Sequence, residues 1–597
     1  MTRDEGERRY RTFYEVVEVE ERMVNHKRDL FFICLLLIGI TLACYHPAGT
    51  FGFVGYDDGL YLKENPHVRA GLTAEGVLWA FRSFDAGNWH PVTWLSLMTD
   101  VSLFGVNPRA SHWVNIGIHI ANTLLLFLLL VQATGAKWRS AIVAALFAVH
   151  PLHVESVAWI SERKDVLSTF WGLLSLSAYV SYARTRRRQP YLLCALFLMI
   201  GLMAKSMLVT FPLLMLLLDV WPLNRFQLGA KGSIRSVWPL LREKIPLFLI
   251  IVAVSVVTVP AQGAFLSLKS VSDYPIFVRI ANAAVSYLVY LGRTVWPFNL
   301  SVYYPHPGTD IAWWFALLAG TALVFVSAAV VVLRRFPYLF LGWFWYVGTL
   351  VPVIGIVQIG TQAMADRYTY IPLIGIFWAV VWGFGDLASR RRFLQIGAAL
   401  GAAAVLCFFC IRTYTQVFVW ENTETLFGHA LKVNEKNAVA HCNFGMTLYR
   451  KNELDAALNH FQRALEIDPK YLDAANNLGV VLLEMGDFKE AERIFRRILK
   501  AGPDRKRAYL ACSNLGLLYA RQGKDREAID AYTRAIEYRP DSPEAYHRVG
   551  LVFIRRRNLA AAREAFQFAI EVDPTFAPAI KSLEQLREIE KERLQGR

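Results

Sequence analysis

The chain is poor in charge: Asp, Glu, Lys and Arg together make up 19% of its 597 residues, which is too little for a soluble protein of this length. That scarcity excludes an intrinsically disordered chain and a single soluble globular enzyme, and a hydrophobic fraction of 55% with a mean hydropathy of +0.31 points to a membrane protein. Cysteine is also scarce. Of seven, Cys34, Cys44, Cys194, Cys407 and Cys410 lie in apolar runs, so no disulfide framework is indicated, and the C-x-x-C at Cys407 and Cys410 reads as helix packing rather than redox or zinc chemistry. Acidic residues are outnumbered, giving a net charge of +15, but the excess falls before Glu421 in short clusters between apolar runs: Arg184–Arg188, Lys231–Lys244, Arg334–Arg335 and Arg390–Arg392. Such clusters are retained on the cytoplasmic side of membrane helices, so nucleic-acid binding is set aside.

The charge that is present is unevenly placed. Of 113 charged residues, 55 lie beyond position 420, so two solvents have shaped the two parts. The expected fold is all-α: a polytopic transmembrane helical bundle over 30–413, then an α-solenoid over 414–582 and a capping helix over 583–597. Residues 1–29 form a cytoplasmic N-terminal tail. Twelve apolar runs are candidate spans, from 30–45 to 393–413. Keeping every basic cluster inside leaves one too many; 279–297, broken by Arg293 and Pro297, is the one set aside. About eleven crossings remain, which puts the N-terminus in the cytoplasm and the C-terminal part on the outer face, in a bacterial inner membrane. The stretch 46–113 is then a large outer loop in which Leu72–Arg82, opening on Thr73, predicts a short interfacial helix.

Beyond Glu421 the sequence repeats. Gly445, Gly479, Gly516 and Gly550 recur at intervals of 34, 37 and 34, Ala457, Ala491, Ala528 and Ala562 follow twelve later, then Phe461, Phe495, Tyr532 and Phe566, and Pro469, Pro503, Pro540 and Pro574 close each unit. This resembles the tetratricopeptide repeat, a helix pair in which Gly and Ala permit close approach, the aromatic fills the gap to the next pair and Pro ends the second helix. Phe427 and Ala430 fit half a repeat, and the 37-residue interval reads as a lengthened turn. Repeat arrays present grooves for extended peptide.

Polar residues in a membrane bundle are the default functional candidates. Asp57 and Asp58 form an adjacent acidic pair just past the first span; side chains alternate along extended backbone, so one of the two is expected to face a substrate. The segment from His150 to Asp165 packs His150, His153, Glu155, Glu162, Arg163, Lys164 and Asp165 between apolar helices. Lys205 interrupts an apolar stretch, and Asp366-Arg367-Tyr368 opens a late span. Cations converging with an acidic pair on one membrane face suit an anionic, lipid-borne substrate. His150, His153 and Glu155 also suggest a metal constellation, but their spacing is not that of a zincin helix; no cofactor is assigned, and a divalent metal remains open but disfavoured.

Tyr56-Asp57-Asp58-Gly59, Asn65-Pro66, Asn88-Trp89-His90-Pro91-Val92-Thr93-Trp94, His112-Trp113-Val114-Asn115 with His119 and Asn122, His150-Pro151-Leu152-His153-Val154-Glu155, Arg163-Lys164-Asp165, Met203-Ala204-Lys205 and Ala365-Asp366-Arg367-Tyr368 together resemble the membrane half of the transmembrane and tetratricopeptide-repeat-containing family, relatives of the protein O-mannosyltransferases. The resemblance implies a C-type glycosyltransferase bundle that uses a polyprenyl-phosphate sugar, with an acidic residue (Asp57 or Asp58) near the acceptor hydroxyl and basic residues on the lipid phosphate. Arg163, Lys164, Lys205 and Arg367 are the phosphate candidates, with His90, His150, His153, Glu155 and Asp165 around the substrate. The implied partners are a lipid-linked donor, an exported protein or peptide held by the repeats, and membrane lipid. Family members often carry Glu after the lysine matched by Lys205; here it is Ser206, so donor specificity does not transfer. The alternative is a non-catalytic membrane scaffold whose repeats recruit envelope proteins.

Overall fold

The computed structural model describes residues 27–226, 237–264, 274–502 and 504–595, with side chains excluded at 259–264 and 590–595; the N-terminal tail up to residue 26, Lys231 and Pro503 lie outside them. It is helical nearly throughout. In chain order the helices are α1 (27–45), α2 (Pro66–Arg69), α3 (Ala74–Arg82), α4 (Pro91–Phe104), α5 (Pro108–Thr134), α6 (Lys137–Val149), α7 (Val154–Ala158), α8 (Arg163–Thr185), α9 (Arg188–Ala204), α10 (Phe211–Val220), α11 (Trp238–Ala264), α12 (Ile276–Val295), α13 (Trp313–Val332), α14 (Pro337–Leu350), α15 (Pro372–Ala388), α16 (Arg392–Val417) and α17 (Thr423–Val433). The repeat helices follow as α18 (Ala438–Arg450), α19 (Leu454–Ile467), α20 (Leu472–Glu484), α21 (Phe488–Lys500), α22 (Arg505–Arg521), α23 (Asp525–Tyr538), α24 (Pro543–Arg555), α25 (Leu559–Val572) and α26 (Ala577–Gln595). Two short antiparallel strands, β1 (Tyr304–Pro305) and β2 (Gln362–Met364), pair beside the candidate site.

The chain divides into two compact units, Met1–His429 and Ala430–Arg597. Five helical stretches among the described residues are long and apolar enough to cross a membrane: Lys27–Thr50, Pro108–Thr134, Ile160–Thr185, Trp313–Val332 and Arg392–Trp420. A sixth arises if Lys137–Val149 and Pro151–Ala158, bent by 54° at His150, count as one span; three shorter apolar helices accompany them. The eleven crossings counted from apolar runs therefore include many that are short or broken, which length and hydropathy alone do not certify.

Local chemistry sets the boundaries. Pro occupies the first turn of α4, α5, α14 and α15, where a missing N–H costs nothing. Thr73 caps α3 by accepting from the Gly76 N–H at 3.0 Å, and Leu78 and Phe81 on that helix stay exposed. The stretch 46–113 is more ordered than its sequence suggested: it also contains α4, whose 14 residues are too few and too mixed with Thr, Ser and Asp to register as a span. At the α14–α15 crossing the backbones touch; a Cβ on Gly342 would lie 2.3 Å from the Gly375 carbonyl oxygen, so only glycine fits.

In the repeat unit the aromatic lies inside its own helix pair rather than in the gap to the next. A Cβ on Gly445, Gly479, Gly516 or Gly550 would come within 2.9, 2.6, 2.6 and 2.4 Å of the ring of Phe461, Phe495, Tyr532 or Phe566 respectively, so the glycine makes the seat for the ring sixteen residues on. Leu583 and Leu586 of α26 close the last pair against Ala562 and Phe566. The first half-repeat belongs partly to the membrane unit: the Gly55 N–H donates to Thr423 Oγ1 at 2.7 Å, Phe427 meets Tyr56 edge-on at 5.7 Å, and Trp420 lies 5.4 Å from Trp159.

Candidate functional site

The bend at His150 directs the chain through α7 and a tight turn at Ile160–Glu162 into α8, so Glu155 falls on α7, Glu162 on the turn, and Lys164 and Asp165 on the first turn of α8. Buried amides hold that turn. Asn115 of α5 donates to the carbonyls of Val157 and Trp159, Asn122 donates to that of Val166, and His119 Nε2 donates to that of Ala148 while its Nδ1 accepts from the Tyr370 hydroxyl at 2.6 Å. Lys205 arrives from the break between α9 and α10 in extended conformation, and Arg367 from the short turn Asp366–Thr369 before α15.

These segments enclose a cavity of about 460 Å³, lined among others by Asp57, His90, Glu162, Lys164, Lys205 and Arg367. Glu162 is the hub. Its carboxylate meets Lys164 Nζ at 3.2 Å, Lys205 Nζ at 3.4 Å and Arg367 Nε at 3.2 Å. Asp165 pairs with Lys205, and Glu155 accepts from both the Arg367 guanidinium and, at 2.9 Å, its backbone N–H. The exposures decide how the cluster faces the cavity: the side chains of Lys164, Lys205 and Arg367 remain 12, 16 and 14% exposed, against 2, 3 and 3% for Glu162, Asp165 and Glu155. Of these carboxylates only Glu162 lines the cavity; Asp165 and Glu155, placed by sequence around the substrate, sit behind Lys205 and Arg367, and the cations present the open face. Tyr61 receives a hydrogen bond from Lys164 at 3.1 Å and stacks nearly parallel on His90, while Trp159 lies under Arg367 and stacks on Tyr56, the neighbour of Asp57.

The acidic pair splits. Asp57 lines the cavity, and enclosure by the surrounding protein holds its carboxyl above the usual carboxylate range; Lys164 opposes that shift, Glu162 reinforces it and Arg367 opposes it. Asp58 points the other way and is fully buried. It accepts from the Val54 N–H at 2.9 Å, the Ser161 N–H at 3.1 Å and the Ser161 hydroxyl at 2.5 Å, stapling the segment after the first membrane helix to the Ile160–Glu162 turn that leads into α8. Burial raises its pKa to about 6, and the three hydrogen bonds restrain that rise. His90 is pushed down to about 3, first by burial and then by Lys164, so it faces the cavity as a neutral ring.

Three residues grouped here from sequence are placed elsewhere. Arg163 does not reach the cavity: it is fully buried, forks onto Asp100 at 2.7 and 3.3 Å, and donates to Ser96, Asn115 and the Ser111 carbonyl. Adjacent residues on a helix point about 100° apart, so Lys164 and Arg163 cannot share a face. His150 and His153 are buried as well. His150 Nε2 donates to the Thr294 carbonyl at 3.0 Å, His153 Nδ1 donates to that of Phe147 at 2.8 Å, and both rings pack against aromatic residues; Glu155 is occupied by Arg367. Among the described residues no group of three or more His, Cys, Asp or Glu is arranged to hold a metal ion. Sequence reading did not single out Glu162 as the centre, although its motif was dense enough to show it, and it missed Tyr61, Gln358 and Gln362 on the cavity wall, for which no local signal exists.

Models of the tetratricopeptide repeat match residues 424–515 and 516–556. Among curated proteins the chain is similar to human protein O-mannosyl-transferase TMTC1 (26% identity, 76% of this chain and 57% of that protein) and to mouse protein O-mannosyl-transferase TMTC3 (23%, 76% and 53%). It spans little more than half the length of these relatives. Among solved structures it is similar to MamA from Desulfovibrio magneticus RS-1 (20% identity, 26% of this chain and 85% of that one), at a TM-score of 0.23, too low to carry an argument. The membrane-capable helices, the repeats and these matches identify the chain as a homologue of the transmembrane and tetratricopeptide-repeat-containing protein O-mannosyl-transferases.

Proposed function

We propose that the protein is a membrane glycosyltransferase that moves mannose, or another single hexose, from a polyprenyl-phosphate donor to Ser or Thr hydroxyls of exported polypeptides. The repeats hold the acceptor and lie, with the cavity, on the extracytoplasmic side. The observation that carries this reading is the cavity itself: among its lining residues Glu162 is engaged by Lys164, Lys205 and Arg367, whereas Asp57 shares the cavity with those cations without an ion pair of its own among the described residues. In the reaction the bond from the anomeric carbon to the phosphate oxygen breaks and a bond to the acceptor oxygen forms. Asp57 takes the hydroxyl proton as the nucleophile attacks, and its negative charge favours the electron-poor sugar ring. The departing phosphate gains charge, which the preorganised cations stabilise in a poorly hydrated pocket. Arg367 is best suited to fork onto phosphate oxygens, since Glu155 and Glu162 occupy only part of its donor set. Asp58 and Arg163 act as positioning residues.

The test is transfer by the purified full chain from a polyprenyl-phosphate hexose to Ser/Thr peptides, together with mass spectrometry of exported proteins from a deletion strain. Loss of single-hexose modification in the strain, and loss of transfer in Asp57→Asn at normal protein level, are expected. An unchanged profile would instead select the scaffold reading.

A further inference from the structure

The repeat array is regular except at the junction of its second and third pairs, where α22 runs to 17 residues against 13 for α18, α20 and α24. The lengthened interval is therefore taken up largely as extra helix. Gly502 with φ +132° and the Asp504 side chain capping the Arg507 N–H at 3.2 Å mark its start. Between α21 and α23 at this junction lies a groove of about 540 Å³ whose floor is α22, with Cys512, Leu515 and Tyr519 spaced on one face.

The walls are charged, and unevenly so. α21 contributes Arg496 and Lys500, and α23 contributes Arg526 and Arg534 together with Glu527 and Asp530, so the lining carries an excess of two positive charges. Arg496 is held by Glu492 at 2.9 Å and by the Tyr519 hydroxyl at 3.1 Å. Among the described residues Lys500, Arg526 and Arg534 make no ion pair, nor do Glu527 and Asp530; all five are exposed, so the unpaired charge of the groove is three positive against two negative. Unpaired cations beside an apolar floor are the complement of an acidic segment that also carries an apolar side chain.

We propose that this groove, formed by the irregular repeat junction, is a docking site for an acidic peptide segment of a partner protein, anchored by one apolar residue over Leu515. It requires neither the transfer reaction nor the identity of the acceptor, so its fate is separate from that of the proposed enzyme activity.

The full chain in phosphatidylcholine nanodiscs is titrated against a fluorescein-labelled peptide of Glu and Gly with one central Leu, which lacks any hydroxyl to be glycosylated, and against its counterpart with Lys in place of Glu. Anisotropy should rise with the acidic peptide and not with the basic one, and binding should weaken steeply with salt. The paired reversal Arg526→Glu and Arg534→Glu should weaken it at least tenfold, whereas Arg556→Glu, an exposed arginine outside the groove, should leave it unchanged. If the paired reversal disturbs the helical melting profile, Lys500→Gln replaces it, with a severalfold loss expected. Equal binding of the two peptides, no binding of the acidic one, or indifference to substitutions in the groove overturns the proposal.

Discussion

Replacing Glu162 by Gln isolates the feature on which the site depends. The carboxylate sits 3.2–3.4 Å from three cationic groups and is 2% exposed. At an effective dielectric near 20, each contact has a gross Coulomb attraction of about 5 kcal/mol, offset largely by the desolvation of the ions. Removing the shared anion should therefore cost on the order of 3–5 kcal/mol in stability, as for other buried clusters that lose one partner. The loss is not shared equally, because Lys205 keeps Asp165 and Arg367 keeps Glu155, whereas Lys164 keeps only the Tyr61 hydroxyl and the nearby charge of Asp57. Glu162 holds the Asp57 pKa up and Lys164 holds it down, so Glu162→Gln should lower it. The sign follows from the role: Asp57 must be ionised to accept a proton, so transfer rises with pH through its pKa, and lowering that pKa moves the acidic limb of the pH–rate profile to lower pH while the plateau falls. The assay is transfer against pH together with thermal unfolding of the purified chain. An acidic limb that stays in place or moves upward in folded Glu162→Gln protein would refute the electrostatic linkage of these residues.

Asp58→Ala should act on folding rather than chemistry: two backbone N–H groups and a hydroxyl lose their acceptor, at about 1–3 kcal/mol for each buried donor left unpaired, read as a lowered melting temperature with residual transfer in the folded fraction. Arg163→Met strands the buried Asp100 and should cost about 3–5 kcal/mol, while Arg367→Lys, which keeps the charge but not the fork, should raise the donor KM with little change in melting. Gly479→Val puts a branched side chain where a Cβ alone would lie 2.6 Å from the Phe495 ring, and should destabilise the repeat unit by about 1–3 kcal/mol in circular-dichroism melts.

The two-part architecture was legible because lipid and water demand different compositions, and the repeats because four copies of one packing problem leave Gly, Ala, aromatic and Pro at one spacing. Residue-level chemistry was legible only as density: the 150–165 motif announced a buried polar cluster without assigning its members. Which of Asp57 and Asp58 meets the cavity, and that Arg163 ties α4 and α5 to α8 while Lys164 faces inward, are matters of side-chain direction over one residue, set by how α4, α5 and the 366–369 turn close around the start of α8. The cavity unites positions 57, 162, 205 and 367 from four separated segments. Composition and periodicity govern how each segment meets its solvent, but burial against distant partners governs which polar group is sealed into the framework and which is left open, and only the tertiary structure decided that.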